Sequence, residues 1–384
     1  PYTEVTRSGN VDYVITQFLS GVSIMTIDGF DECLLIDCRT YPMRSVSEPW
    51  KDRVLRGSRD GFVETLVSNA ALLRRRIRDP RFSMELYGVG RRSRSDVAIC
   101  YISDSVDQNI LNRMRKLIQS IDVDALTMKC MFTHKWINPF PKFKYSERPD
   151  TATAAILDGN IVIMVDNSPA VMIIPASIFD IIEEADDFNF SPMIGSYLRI
   201  TRFFFSIVTW ILTPLWLLFV NKPDWGPEFL KFVLITDDIT VPVLLQLLIL
   251  ELAVDGLKLA AVNTPTMLST PLSIVAGIVV GEYAVSSGWF NPEALLYMAV
   301  VTVGTYGQTN FEMGYAFKFL RVLTLILTQI FNLGGFIAGV VISVLMIAFN
   351  RTITGKSYIY PLIPWDGKML KRKVLRVRLP HSYK

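Results

Sequence analysis

The chain has 384 residues, 39 Lys+Arg against 36 Asp+Glu, 51% hydrophobic residues and a mean hydropathy of +0.34. That is too apolar for an ordinary soluble protein and long enough for two or more domains. Residues 1–198 carry 23 basic and 26 acidic side chains, which argues against a nucleic-acid binder, whose footprint is a basic surplus.

Taken from the N-terminus, SIMTIDGFDECLLIDCRTY (23–41) predicts a strand, a turn and a strand. RDGFVETLVSNAALLRRRIRD (59–79) spaces Phe62, Leu66, Ala70, Leu73 and Ile77 by three or four residues, the pattern of an amphipathic helix. MELYGVGRRSRSDVAICYISD supplies strands on either side of a basic turn, and residues 108–121 supply another helix. Residues 154–182 read as strand, Asp-Gly turn, strand, Asn-Ser-Pro turn, strand and short helix. Pro139, Pro141 and Pro149 place a break between an α/β subdomain at 1–135 and a second at 136–195.

The chain lacks the signatures of an enzyme. GVGRR is not GxGxxG, no Walker-type loop is present, and His134 and His381 stand in no Ser/His/Asp or Cys/His pattern. Cys33, Cys38, Cys100 and Cys130 form no CxxC pair and read as reduced structural thiols of a cytosolic domain, so no metal or cofactor is expected. The basic clusters Arg74, Arg75, Arg76 and Arg91, Arg92 read as contacts to neighbouring subunits or as a solvated face.

From residue 196 the apolar residues arrive in blocks of the length a bilayer requires, about 20 per helix. Candidates are 200–220, 239–262, 270–290, 292–311 and 315–350, the last divided at Gly334-Gly335 because it is too long for one crossing. Six crossings over 196–350 put Arg199, Arg202, Lys258, Lys318, Arg321 and the basic tail at 351–384 on one side, in agreement with the positive-inside rule. The fold expected is a mixed α/β cytoplasmic region followed by a polytopic α-helical membrane domain, with both ends cytoplasmic. Lys318 and Arg321 are expected to snorkel to the surface, and the tail to contact anionic lipid.

SEPWKDRVLRGSRDGFVETLVSNAALLRRRIRDP, GRRSRSDVAICYI and YSERPDTATAAILDGNIVIMVDNSPAVMIIPASIFD, followed by a multi-helix membrane region, resemble the A subunits of the GerA family of spore germination receptors. The resemblance runs from about Glu48 to Pro364. It implies a protein of the spore inner membrane in endospore-forming bacteria. It further implies a homopentameric channel that releases ions at germination, alongside other germination membrane proteins or a small membrane partner.

In that setting the charges inside 239–262 gain a meaning. A charge near the bilayer centre costs about 2.5–3.5 kcal/mol on insertion scales. Glu251 and Asp255 share a helix face, and Lys258 lies within pairing reach of Asp255. One reading is a compensated, protein-facing cluster. The other makes each acid a ring of acids in a symmetric oligomer, with Lys258 neutralising Asp255 and Glu251 left active. Glu282 is a second intramembrane acid, beside the small-residue stripe Ser273, Gly277, Gly281, Ala284 and Gly288. That stripe reads either as close helix packing or as a pore-facing strip with Val275 and Val279 as an apolar constriction. Family members commonly read GQAAV where this chain reads GEYAV, which places Glu282 where a Gln is usual.

Overall fold

The computed structural model describes residues 4–38, 44–49, 52–124, 138–225, 234–235, 239–263, 277–308, 310–355 and 357–375. Cys130, His134, Ser273, Val275 and His381 lie outside them. The chain forms two compact units, Pro1–Val46 and Ser47–Lys384.

In the first unit β1 (Glu4–Ser8), β2 (Ser23–Met25) and β3 (Cys33–Asp37) form an antiparallel sheet in the order β1-β3-β2. The register pairs Ile24 with Leu35 and Thr6 with Leu35. Helix α1 (Val11–Leu19) connects β1 to β2 and is capped by Asn10, whose side chain accepts from the Tyr13 amide at 3.3 Å. The expected strand-turn-strand at 23–41 is present.

The second unit begins with α2 (Leu66–Arg76) and a hairpin of β4 (Phe82–Val89) and β5 (Ser95–Ile102). Then come α3 (Gln108–Gln119), β6 (Lys144–Ser146), α4 (Pro149–Leu157), β7 (Ile161–Val165), β8 (Val171–Ile174) and α5 (Ile178–Ile182). The five strands pair antiparallel in the order β4-β5-β7-β8-β6. Side chains alternate across the sheet. Val97, Ile99 and Tyr101 of β5, with Ile161, Ile163 and Val165 of β7, meet Ile110, Leu111, Met114 and Ile118 of α3. Ala98, Cys100 and Ile102, with Val162 and Met164, meet α2 and α4 through Leu66, Leu73, Ala152 and Ile156. Covering both faces is why β7 and β8 are buried throughout and read as continuous apolar runs.

This sheet corrects the division expected at 135/136, because β5 pairs directly with β7 and the boundary would cut one sheet. The segment expected as a strand at 154–157 is helical. Pro149 occupies the first turn of α4, where its missing N–H costs nothing. Helix α2 starts at Leu66 rather than near 59, and Phe62 packs into the core from the segment before it.

Next come the short α6 (Asp186–Asn189) and the long α7 (Pro192–Asn221), then α8 (Val243–Asn263) and a π-helical run Gly277–Tyr283. The chain continues into α9 (Pro292–Tyr306), α10 (Phe311–Ala348) and α11 (Gly367–Val374). Among the described residues, α7 and α10 are long and apolar enough to cross a membrane. Helix α10 breaks at Asn332 (φ 51°, ψ −125°), two residues before the expected Gly334-Gly335 split. Its arms then run back along each other. A Cβ on Gly335 would run into the Leu327 carbonyl oxygen, and one on Gly339 would stand 2.9 Å from Thr324 Cα. Only glycine allows that approach, as small residues do between closely packed helices.

Candidate functional site

Three groups of charged residues lie in or beside the long helices. The first joins α7, α8 and α10. Glu251 and Asp255 stand one turn apart on α8, and Lys318 and Arg321 three residues apart on α10, so an acidic stripe faces a basic one. Arg321 Nε lies 2.5 Å from Glu251 Oε1, and its Nη1 donates to the Thr209 carbonyl of α7 at 2.5 Å. Lys318 Nζ is 3.5 Å from Glu251 Oε2, donates to the Glu251 carbonyl at 3.0 Å and ion-pairs with Asp255. Glu251 is 4% exposed and Arg321 3%. A small cavity of about 70 Å³ adjoins the group, bounded by Thr302, Thr305, Gln308 and Tyr315 among others.

Two expectations are corrected here. Lys318 and Arg321 do not snorkel; they turn inward, because each finds a carboxylate and a main-chain carbonyl that a buried acid would otherwise leave uncompensated. Lys258 is not the partner of Asp255. Its ammonium lies over the rings of Tyr306 and Tyr315, 5.2 and 5.6 Å from their centroids, and Lys318 takes the acid instead. Glu251 is therefore paired within the chain. The spacing, acids at i and i+4 on one segment and bases at i and i+3 on another, permits this pairing but does not by itself select it.

The second group lies at the foot of α7. Arg199, 2% exposed, places Nη2 2.7 Å from Glu183 and Nε 3.2 Å from Asp187. Arg202 reaches Asp187 at 2.5 Å and Glu184 at 3.1 Å. The fully buried Asp187 thus receives two guanidinium groups, which fasten the first membrane-length helix to the α/β body. Sequence reasoning placed these arginines on the cytoplasmic side but missed their acidic partners.

The third group is the π-helical run. Here Gly277, Val279 and Glu282 are exposed and Gly281 is partly so. A Cβ on Gly277 or Gly281 would meet nothing within 4 Å, so the small-residue stripe has no packing partner at these positions among the described residues. Glu282 makes no ion pair or side-chain hydrogen bond among them. π-Helical geometry is rare and concentrates at functional positions. Helices α8 and α9 are pinned together at their starts by Gln246 and Asn291, a buried pair that sequence reasoning also missed. Gln246 Nε2 donates to Asn291 Oδ1 at 2.7 Å, and the Asn291 amide donates to Gln246 Oε1 at 2.9 Å.

The arginines expected at subunit contacts divide. Arg76 is tied to Asp60 at 2.5 Å, and Arg74 donates to the Asp79 carbonyl at 3.1 Å and lies over the Phe82 ring. Arg75, Arg91 and Arg92 stay largely solvent-facing, with Arg91 on Asp122 at 2.5 Å and Arg92 3.9 Å from Asp124.

Comparison with known proteins gives a consistent picture. The family model for the Bacillus/Clostridium GerA spore germination protein matches residues 1–384. The chain is 37% identical to stage V sporulation protein AF of Bacillus subtilis (strain 168) over 382 residues, covering 98% of this chain and 77% of that one. It is 27% identical to spore germination protein GerLA of Bacillus cereus over 381 residues, covering 97% and 77%. The crystal structure of the N-terminal domain of the A subunit of the Bacillus megaterium spore germinant receptor GerK3 matches 29% of this chain and 93% of that domain, at 30% identity and a TM-score of 0.25.

Proposed function

The chain belongs to the GerA family of spore germination proteins, and from that premise we propose that it is a subunit of a homo-oligomeric, passive, cation-conducting channel. On this reading it lies in the spore inner membrane, assembles as a pentamer, and releases cations at germination. The carrying observation is the contrast between acids: Glu251 and Asp255 are neutralised within the chain, whereas Glu282 has no partner among the described residues and projects from a π-helical run that contains Gly277 and Gly281, unpacked among those residues. Repeated by symmetry, Glu282 becomes a ring of carboxylates that attracts cations and repels anions. Gly277, Val279 and Gly281 line the same path.

The same reading takes the chain through the membrane six times, and three contacts favour that layout. The Arg199 end of α7 lies against the α/β body, the starts of α8 and α9 share the Gln246–Asn291 bonds, and α10 turns back at Asn332. The α/β body then forms a cytoplasmic collar, with Arg75, Arg91 and Arg92 facing neighbouring copies. Other germination membrane proteins, a small membrane-protein partner and lipid complete the surroundings.

A non-conducting scaffold is the second reading, favoured by the internal compensation of Glu251 and Asp255, which needs no pore. Planar-bilayer recording of the purified oligomer under a salt gradient separates the two. A channel gives stepwise current reversing toward the cation potential, and Glu282→Gln moves the reversal toward zero. Equal Na⁺ and Cl⁻ permeability in the wild type, or a reversal potential indifferent to Glu282→Gln, overturns the assignment of Glu282.

A further inference from the structure

Between α4, β8, α5 and α6 lies an open pocket of about 160 Å³ with a strongly acidic lining. Asp150 is held by Arg148 at 2.5 Å, Glu184 by Arg202 at 3.1 Å and Glu183 by Arg199 at 2.7 Å, which leaves Asp158 and Asp180 as the acids of the lining for a further cation. Lys144, also in the lining, spends its ammonium on the Glu183 carbonyl at 2.8 Å. The cation that enters is Lys373, from the last turn of α11. Its ammonium ion-pairs with Asp180 and lies 3.9 Å from Glu183. Arg199 Nη1 donates to the Arg372 and Lys373 carbonyls at 3.2 and 3.0 Å, so the negative end of α11 points at a guanidinium.

We propose that this pocket is the seat of the chain's own C-terminal helix, and that α11, held there by charge, is a releasable latch on the first membrane helix. Three observations carry it. Helix α11 has no fully buried side chain, and its apolar residues Met369, Leu370 and Val374 are only half-buried, so apolar packing holds it weakly, whereas the chain just before it is anchored by Tyr358, which is fully buried in the core around Phe140 and Phe317. Its hold consists of one ammonium and two terminal carbonyls, and partly exposed pairs of this kind weaken as salt rises. Arg199 is shared: it grips α11, Glu183 and Asp187 while itself belonging to α7. When α11 leaves, a buried guanidinium nitrogen loses both acceptors, and the first turns of α7 must admit water or move. The tail expected to rest on lipid thus has one lysine committed to protein, while the rest of α11 remains exposed or half-exposed.

The test is hydrogen–deuterium exchange on the full chain in lipid nanodiscs. Wild-type amides of α11 exchange slowly at low salt, and Lys373→Gln speeds them by about tenfold, as does 0.5 M NaCl on the order of magnitude expected for a charge-held contact. The first turns of α7, Pro192–Arg202, accelerate in parallel, while β5 and β7 do not change. Asp180→Lys combined with Lys373→Glu restores slow exchange. Wild-type α11 exchanging at the unprotected rate, or Lys373→Gln leaving it slow, removes the latch. Freed α11 with unaltered α7 removes the coupling. The readout does not depend on conduction, so a silent bilayer recording bears on the channel assignment and leaves this one to stand or fall alone.

Discussion

Arg321→Met strips Glu251 of its main counter-charge while leaving helix propensity and side-chain volume nearly unchanged. Glu251 is 4% exposed, so its carboxylate has no ready access to water. Breaking a buried ion pair from one side costs about 3–5 kcal/mol, because the remaining charge is stranded. Lys318, 3.5 Å from Glu251 Oε2, offsets part of this, and the Thr209 carbonyl, left without its donor, adds part back. A net loss of about 3 kcal/mol follows, and at roughly 1–2 °C per kcal/mol for a unit as long as Ser47–Lys384 the melting temperature falls by roughly 3–6 °C. Tryptophan-fluorescence melts in detergent are suited to the measurement, since Trp210 is next to Thr209 and Trp216 lies about two turns further along α7. Adding Glu251→Leu removes the stranded charge, and the double variant should recover to within about 1 kcal/mol of wild type, since apolar replacement of a buried pair is often neutral. A single Arg321→Met variant that melts with the wild type would refute the reasoning. It would mean that Glu251 reaches water, as a pore-facing acid does.

Gly339→Leu drives a side chain into Thr324, where even a Cβ would stand 2.9 Å from Cα, and should lower the melting temperature by several degrees for an overpacking cost of about 1–3 kcal/mol. Gly281→Ala, with open space around it in the subunit, should leave the melting temperature of a dissociated subunit unchanged. In the α/β body, the Arg115 guanidinium, with help from the Tyr101 and Tyr87 hydroxyls, holds Glu85 down to about 2. A depressed acid contributes stability that is complete above its unfolded value near 4.5 and is lost as pH falls through about 2. Part of the group faces solvent, so the contribution is about 1 kcal/mol or less. Acid titration of wild type and Glu85→Gln should therefore converge between pH 4.5 and 2; parallel curves across that interval would show that Glu85 carries no such stability.

How far the site was legible depends on the range of the signal. The acids at 251, 255 and 282 stood out because they interrupt apolar runs, a contrast visible within one window of sequence. Their partners did not. Lys318 and Arg321 lie 63 to 70 residues from the acids they meet, and nothing local distinguishes a lysine that snorkels from one that turns inward. The same limit applies to Gln246 with Asn291, and to Lys373 with Asp180, 193 residues away.

By itself the sequence determined the division into an α/β region and an apolar helical region, a helix expected at 108–121 and found at 108–119, an apolar helix expected at 200–220 and found within 192–221, the strands on either side of the basic turn at 90–94, and the family resemblance. Periodicity, turn chemistry and motif order are local or collinear properties, and survive without a fold. Only the tertiary structure decided that β5 pairs with β7 across a proline-rich break, that α10 folds back on its glycines, and that the acids at 251 and 255 are paired by Lys318 and Arg321. The reason is physical: an ionised group is costly or harmless according to what packing brings within about 4 Å of it, and that distance is set by the assembled chain.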